Sequence, residues 1–190
     1  FRYARSQNYD VVRFWFLGNL DDQLMLFDPQ GMPTDLAPYV YDYLTVVMDA
    51  AGEAGVKLMP VMLDYRMADG SSEVAGKRLG EYPELITDPA KQAAFLKILE
   101  KMHRHMASHR LYRTVTFSLE PMNEPENVTT VPKNEVRAFV RDLARIILEE
   151  TDRPVTLSAA TVYDLNDWAK LVKTDTVLKN NLGRVILQFH

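Results

Sequence analysis

Apolar residues along the chain fall into short unbroken runs, separated by segments of helical periodicity. The first run, Val11-Val12-Arg13-Phe14-Trp15-Phe16-Leu17, is dense in β-branched and aromatic residues and is ended by Gly18-Asn19, which predicts a buried strand. Turn residues follow at Asp28-Pro29-Gln30-Gly31 and Pro33. A helix is then predicted from about Ala37 to Ala54, with Tyr39, Tyr43, Val46, Val47 and Ala50 recurring at three- and four-residue steps. Gly55 stands where a left-handed helix stop is wanted. Lys57 to Leu63 predicts a second strand. Asp64 to Thr87, with Gly70, Gly76, Gly80 and Pro83, predicts a long loop of the kind that often serves as a lid.

Asp88-Pro89 is a helix start, a capping carboxylate followed by proline at the first helical position. Phe95, Ile98, Leu99, Met102 and Met106 mark the inner face of that helix. Arg113 to Leu119 predicts a third strand, and Asn134 to Glu150 a helix burying Val136, Phe139, Val140, Leu143, Ile146 and Ile147. Arg153-Pro154 turns into a fourth strand, Val155 to Ala159. A short helix near Asp164 to Val172 and a fifth strand, Val185 to Phe189, complete the pattern.

Strict alternation of strand and helix, with apolar strands and no hairpin signal, predicts βαβ units and a parallel sheet. Two architectures meet that description, an open doubly wound sheet and a (β/α)8 barrel. The first strand is not followed by G-x-G-x-x-G, and no G-x-x-x-x-G-K-[ST] occurs, so the nucleotide-binding versions of the open sheet lose their main support.

Composition narrows the partners. The 190 residues are 47% hydrophobic and carry a formal net charge of −4, which gives no electrostatic reason to expect nucleic acid or an anionic membrane surface. No apolar run approaches the ~18 residues of a membrane span. The absence of cysteine rules out disulfides and thiolate metal sites. The chain opens on Phe1 and stops inside an apolar run at Gln188-Phe189-His190, from which one incomplete domain of a longer protein is expected.

In parallel α/β architectures the chemistry gathers at the carboxyl ends of the strands. Those ends supply Asp64 and Tyr65, then Glu120, Asn123 and Glu124, then Thr161 and Tyr163, and finally His190. Arg13 differs, a cation inside an apolar strand that should face a carboxylate across the sheet. Between Pro121 and Pro125, which should end the strand and fix the backbone, Asn123 and Glu124 pair an amide donor with a rigid carboxylate, as a general acid requires. Trp15 is a candidate to stack on a sugar face. His103, His105 and His109 do not present a metal face at their spacing and are expected on a solvated helix surface. Asn127-Val128-Thr129 fits a glycosylation sequon.

Glu120-Pro121-Met122-Asn123-Glu124-Pro125 resembles the E-L-x-N-E-P segment that ends barrel strand 4 of clan A glycoside hydrolases, family 5 above all. Val11-Val12-Arg13-Phe14-Trp15 resembles the strand 2 that carries an arginine, Phe189-His190 the strand 6 segment, and Pro154 to Ser158 with Asp164 to Trp168 strand 5 and its helix. The resemblance implies a partial (β/α)8 TIM barrel, parallel strands 2 to 6 with intervening helices. It implies a retaining glycoside hydrolase of β-linked oligo- or polysaccharides that needs no metal or other cofactor. Glu124 would be the acid/base, Asn123 the contact to a sugar 2-hydroxyl and Arg13 the support of the nucleophile, with His190, Trp15, Asp64, Tyr65 and Tyr163 binding substrate. The nucleophile, a second glutamate on strand 7, is expected downstream of His190, with the rest of the barrel supplied by sequence outside the chain. The chain departs from the family at the end of strand 3, where a histidine is common and Leu63-Asp64-Tyr65 stands here. Glu120 is expected to be a structural carboxylate.

Two further readings remain at this stage. A catalytically inactive carbohydrate-binding barrel would keep the groove without the second carboxylate. A metal-dependent barrel hydrolase would draw ligands from Asp64, Glu120 or Glu124 and His190, although no H-x-H or H-E-x-x-H spacing supports it.

Overall fold

The computed structural model describes residues 1–18, 20, 24–69, 72–74 and 77–189. A short helix α1 (Arg2–Ser6) leads into strand β1 (Val11–Trp15), a hairpin of β2 (Met25–Phe27) and β3 (Pro33–Leu36), helix α2 (Pro38–Ala54) and strand β4 (Lys57–Asp64). A second hairpin, β5 (Ser72–Val74) and β6 (Lys77–Leu79), precedes helices α3 (Glu84–Thr87), α4 (Pro89–Ser108) and α5 (Tyr112–Val115). Strand β7 (Glu120–Asn123), helix α6 (Lys133–Glu150), strand β8 (Val155–Ala159), helices α7 (Val162–Thr174) and α8 (Thr176–Asn180) and strand β9 (Val185–Phe189) close the order.

The fold is mixed α/β with parallel main strands. β4 lies between β1 and β7, with Arg13 opposite Met59, Val61 opposite Glu120 and Asp64 opposite Asn123. A bridge between Leu119 and Val155 leads on to β8, which pairs in parallel with β9 from Val155–Val185 to Ala159–Phe189. Spatial order thus follows chain order across β1, β4, β7, β8 and β9. A doubly wound sheet would reverse that order, so the open-sheet alternative is excluded.

Sequence rules explain the helix ends. Asp88 Oδ1 accepts from the backbone N–H groups of Ala90 (2.8 Å) and Lys91 (3.1 Å), capping α4 with Pro89 at its first position. Gly55, in the left-handed region at φ 67, ends α2 as expected. The core lies between helices and strands. Phe95, Ile98, Leu99, Met102 and Met106 of α4 meet Val136, Phe139, Val140, Leu143 and Ile147 of α6, and Phe95 stacks on Phe139 at 6.1 Å.

Several expectations are corrected. The sequence shows no hairpin signal, yet two antiparallel hairpins are present, one of them inside the stretch expected to be a long loop. Their strands are only three or four residues long, too short for alternation to register. The expected third strand, Arg113 to Leu119, is helical at Tyr112–Val115, touches its neighbours only through bridges at Thr116 and Leu119, and becomes regular at Glu120–Asn123. Pro121 therefore lies inside β7 rather than ending it. The pairing with β4 runs through Glu120 and Met122, so the missing N–H of Pro121 removes nothing from that ladder.

On α2 the buried stripe is Val40, Leu44, Val47, Met48 and Ala51, one position round from the expected one, and Tyr39, Tyr43 and Val46 face outward. The helix is apolar on both stripes, so periodicity alone does not select the inner one. His103 is not solvated: it is buried among the apolar residues of α4. His105 packs edge-on against Tyr41 at 5.2 Å, and His109 lies 3.6 Å from Asp49.

Candidate active site

The carboxyl ends of β1, β4 and β7 converge on an open cleft of ≈ 430 Å³, lined by Trp15, Gly18, Asp64, Tyr65, Arg66, Asn123 and Glu124. Beneath it lies a chain of charge-assisted hydrogen bonds. Arg13 donates from Nε to Glu120 Oε2 (2.8 Å) and from Nη2 to Glu120 Oε1 (2.7 Å), a bidentate pair in which Glu120 is 0% exposed. The expected partner of the mid-strand arginine is thus a carboxylate two strands away, Glu120, whose two oxygens are both engaged by it.

The same Nη2 also donates to Asn123 Oδ1 (2.8 Å). Asn123 Nδ2 donates to Asp64 Oδ2 (2.9 Å), which also accepts the indole N–H of Trp15 at 3.3 Å. Asp64 Oδ1 accepts the backbone N–H of Arg66 (3.1 Å). The Arg13 guanidinium sits 4.8 Å from the centroid of the Trp15 ring, and that ring is half exposed at the cleft.

Glu124 stands at the rim. Pro125 disfavours the right-handed helical region for the residue before it, and Glu124 adopts the left-handed region instead, at φ 45 and ψ 52. For a side chain of this size that conformation costs about 1–3 kcal/mol and is tolerated where the surroundings fix it. Glu124 Oε2 accepts from Asn127 Nδ2 at 3.0 Å, so the sequon asparagine is a partner of the candidate acid.

Three further residues hold the rim. Arg66 donates from Nε to the Tyr65 hydroxyl (3.3 Å), the main cause that raises its pKa, with the charges of Asp64 and Glu124 adding. A Cβ on Gly80 would stand 1.9 Å from the Arg66 carbonyl oxygen, so only glycine lets the following loop pack here. Glu126 Oε1 accepts the backbone N–H of Ala160, tying the turn after β7 to the end of β8. Burial pushes the Glu126 carboxyl above its ordinary pKa, although that hydrogen bond opposes the shift.

Of the residues singled out in the sequence, Trp15, Asp64, Tyr65, Asn123 and Glu124 line one cleft, and Arg13 joins them from beneath through Asn123. Tyr163 does not: it stands on the first turn of α7, 86% exposed and outside the cleft lining. Thr161 caps α7 by accepting from the Asp164 N–H. Tyr82 stacks on Phe27 at 5.3 Å, away from the cleft. His190 lies outside the described residues. Gly18, Asn127 and Glu126 were not anticipated. The signal for Gly18 was its place at the end of a strand, and for Asn127 and Glu126 their adjacency to Asn123-Glu124-Pro125. Among the described residues no three His, Cys, Asp or Glu side chains gather so as to hold a metal ion, and no helix is long and apolar enough to cross a membrane.

No protein-family model matches the chain, and no curated protein matches it. Solved structures do. The endo-1,4-β-mannanase of Eisenia fetida superposes with a TM-score of 0.71 at 16% identity, over 98% of this chain and 58% of that one. The β-1,4-mannanase of the sea hare Aplysia kurodai gives 0.66 at 16% identity, over 99% of this chain and 64% of that one. A GH5_18 variant from Streptomyces cattleya, in complex with Manβ1-4GlcNAc, gives 0.58 at 15% identity, over 83% of this chain and 38% of that one. The chain spans less than two thirds of the length of each. At these identities the likeness establishes the fold, and the chain carries that of the family 5 mannanases and related clan A glycoside hydrolases over part of their length.

Proposed function

We propose that the chain is part of a (β/α)8-barrel glycoside hydrolase, with β1, β4, β7, β8 and β9 as barrel strands 2 to 6. In this reading the whole protein hydrolyses β-linked oligo- or polysaccharides with retention of configuration. Glu124 is the acid/base, and the nucleophile is a glutamate outside these 190 residues. The observation that carries the reading is the placement of Glu124. Its backbone is held in a left-handed turn at the rim of an open cleft, above the part-buried Arg13–Glu120–Asn123 network.

A retaining mechanism places its two carboxyl groups ~5 Å apart, one attacking the anomeric carbon while the other protonates the leaving oxygen. In the second half-reaction the acid, now a carboxylate, takes a proton from water that attacks the glycosyl–enzyme bond. Trp15 offers its exposed ring to a sugar face, Tyr65 and Asp64 line the floor, and Asn123 donates to a ring hydroxyl. β-1,4-Mannan is the substrate to assay first, since the similar structures include enzymes named for it.

The test is hydrolysis of unactivated manno- and cello-oligosaccharides by the whole protein, with the first-formed anomer read by proton NMR. The expected product keeps the β configuration, a chelator leaves the rate unchanged, and Glu124→Gln lowers kcat by about 10²–10⁴-fold. Full activity in Glu124→Gln, or an inverted product, overturns the assignment. Saccharide binding without turnover supports the inactive barrel instead.

A further inference from the structure

We infer that Asp64 is a positioning residue: together with Arg13 it locks the side-chain amide of Asn123 in one orientation and, through the same oxygen, sets the Trp15 ring. The inference rests on the glycosidase reading for its functional consequence, though not for the contact itself.

The argument begins with hydrogen-bond complementarity. Arg13 is donor-only and an ionised carboxylate acceptor-only. Asn123 stands between them, with Oδ1 2.8 Å from Arg13 Nη2 and Nδ2 2.9 Å from Asp64 Oδ2. A flipped amide would set its NH2 against the guanidinium and its carbonyl against the carboxylate, losing both bonds and adding two repulsions. Chemistry therefore fixes the orientation independently of the amide assignment. One proton of Nδ2 goes to Asp64, and the second has no partner among the described residues, although Asn123 lines the cleft. Asn123 thus presents a donor, and what it recognises is an acceptor oxygen on the substrate.

Asp64 also explains why a carboxylate is needed at this strand end. Its Oδ2 accepts from both Asn123 and Trp15, and its Oδ1 from the Arg66 backbone N–H. Three donors converge on a residue only 7% exposed. An asparagine of the same shape must turn its own NH2 toward one of them, and a buried donor facing a donor loses its bond outright. Asp64 couples the aromatic platform to the amide donor, so one residue controls two subsite features while its own oxygens are spoken for.

The test has two arms. The first needs no activity: in ¹⁵N-labelled chain, the Asn123 side-chain amide should give one slowly exchanging proton, and Asp64→Asn should raise its exchange rate at least about tenfold while distant backbone resonances stay put. Exchange unchanged in Asp64→Asn overturns the lock. If that variant does not fold, Asp64→Glu, which keeps both acceptors on a longer arm, should retain part of the protection. A fully unprotected amide in a folded Asp64→Glu counts against the proposal.

The second arm uses the whole active protein with manno-oligosaccharides. Asp64→Asn should lower kcat/KM about 10–100-fold, and on an Asn123→Ala background it should add less than about threefold. Multiplicative effects in the double variant would mean that Asp64 acts independently of Asn123. Failure of Glu124→Gln to reduce turnover would instead sink the glycosidase reading, with the exchange result left standing.

Discussion

The polar cluster where β1, β4 and β7 end and the apolar layer between α4 and α6 are both buried, and each follows a different rule of stability. In the cluster Glu120, Asn123 and Asp64 are 0%, 5% and 7% exposed, and each is matched donor to acceptor with a named partner. In the layer Phe95, Phe139, Leu99 and Ile147 fill space with no directional bonds, and the polar intruder, His103, has an Nδ1 with no hydrogen-bond partner among the described residues. A cluster held by pairing depends on both members of each pair. A layer held by packing depends on volume.

The largest expected effects separate these rules. Glu120→Leu alone leaves the largely buried Arg13 guanidinium without its carboxylate, with only Asn123 Oδ1 left to accept from it, and should cost about 3 kcal/mol by urea unfolding. Arg13→Met with Glu120→Leu should recover most of that loss, because an apolar pair of similar volume needs no partner. Phe139→Ala should cost a similar ~3–5 kcal/mol through the cavity it leaves, but no second truncation at Phe95 should restore it. A double variant of Arg13 and Glu120 as unstable as the sum of its singles would erase the distinction between the two regions.

That distinction also explains what the sequence made legible. Arg13 was readable because a cation in the run from Val11 to Leu17 has no cheap burial without a carboxylate, but which carboxylate was not: Asp64 ends the adjacent strand, and the bidentate partner is Glu120 on the strand beyond it. The parallel order of β1, β4, β7, β8 and β9 followed from apolar runs separated by helical periodicity. Elements with little apolar content escaped: the β5–β6 hairpin has three-residue strands and sits in a glycine-rich stretch. The start of β7 was misplaced because Thr114, Val115 and Thr116 favour strands, yet Tyr112–Val115 curls into a helical turn that buries Tyr112. Tyr163 was drawn into the site only by following a strand end. Sequence order fixes which end of the sheet a residue is on, whereas side-chain direction at the start of α7 turns it outward.

A smaller effect comes from His103. Burial lowers its pKa to about 4 from the ordinary 6.5, so the native side chain is neutral where the unfolded chain binds a proton. Stability should be at its full value above pH 6.5 and fall as the pH drops from 6.5 to about 4, by about 3 kcal/mol in total. His103→Leu should flatten that part of the pH–stability curve. An identical acid limb in wild type and variant would mean that His103 does not carry the loss of stability in acid.

The smallest expected effect tests a polar group that belongs to the layer but faces water. Asp88 caps α4 through the N–H groups of Ala90 and Lys91, at the solvent edge of the same helix whose inner face carries Phe95. Its two bonds resemble the three of Asp64 in length. Its surroundings do not, since water can take over both N–H groups when the carboxylate is gone. Asp88→Ala should therefore cost only about 1 kcal/mol, the usual value of an N-cap, and Asp88→Asn, which keeps one acceptor for the same N–H groups, should cost less. The Asp64→Asn change, chemically the same, should cost more, because a buried donor left facing a donor has no water to turn to. Equal unfolding midpoints for Asp88→Asn and Asp64→Asn would mean that burial does not amplify the loss, and the contrast between cluster and layer would then rest on volume alone.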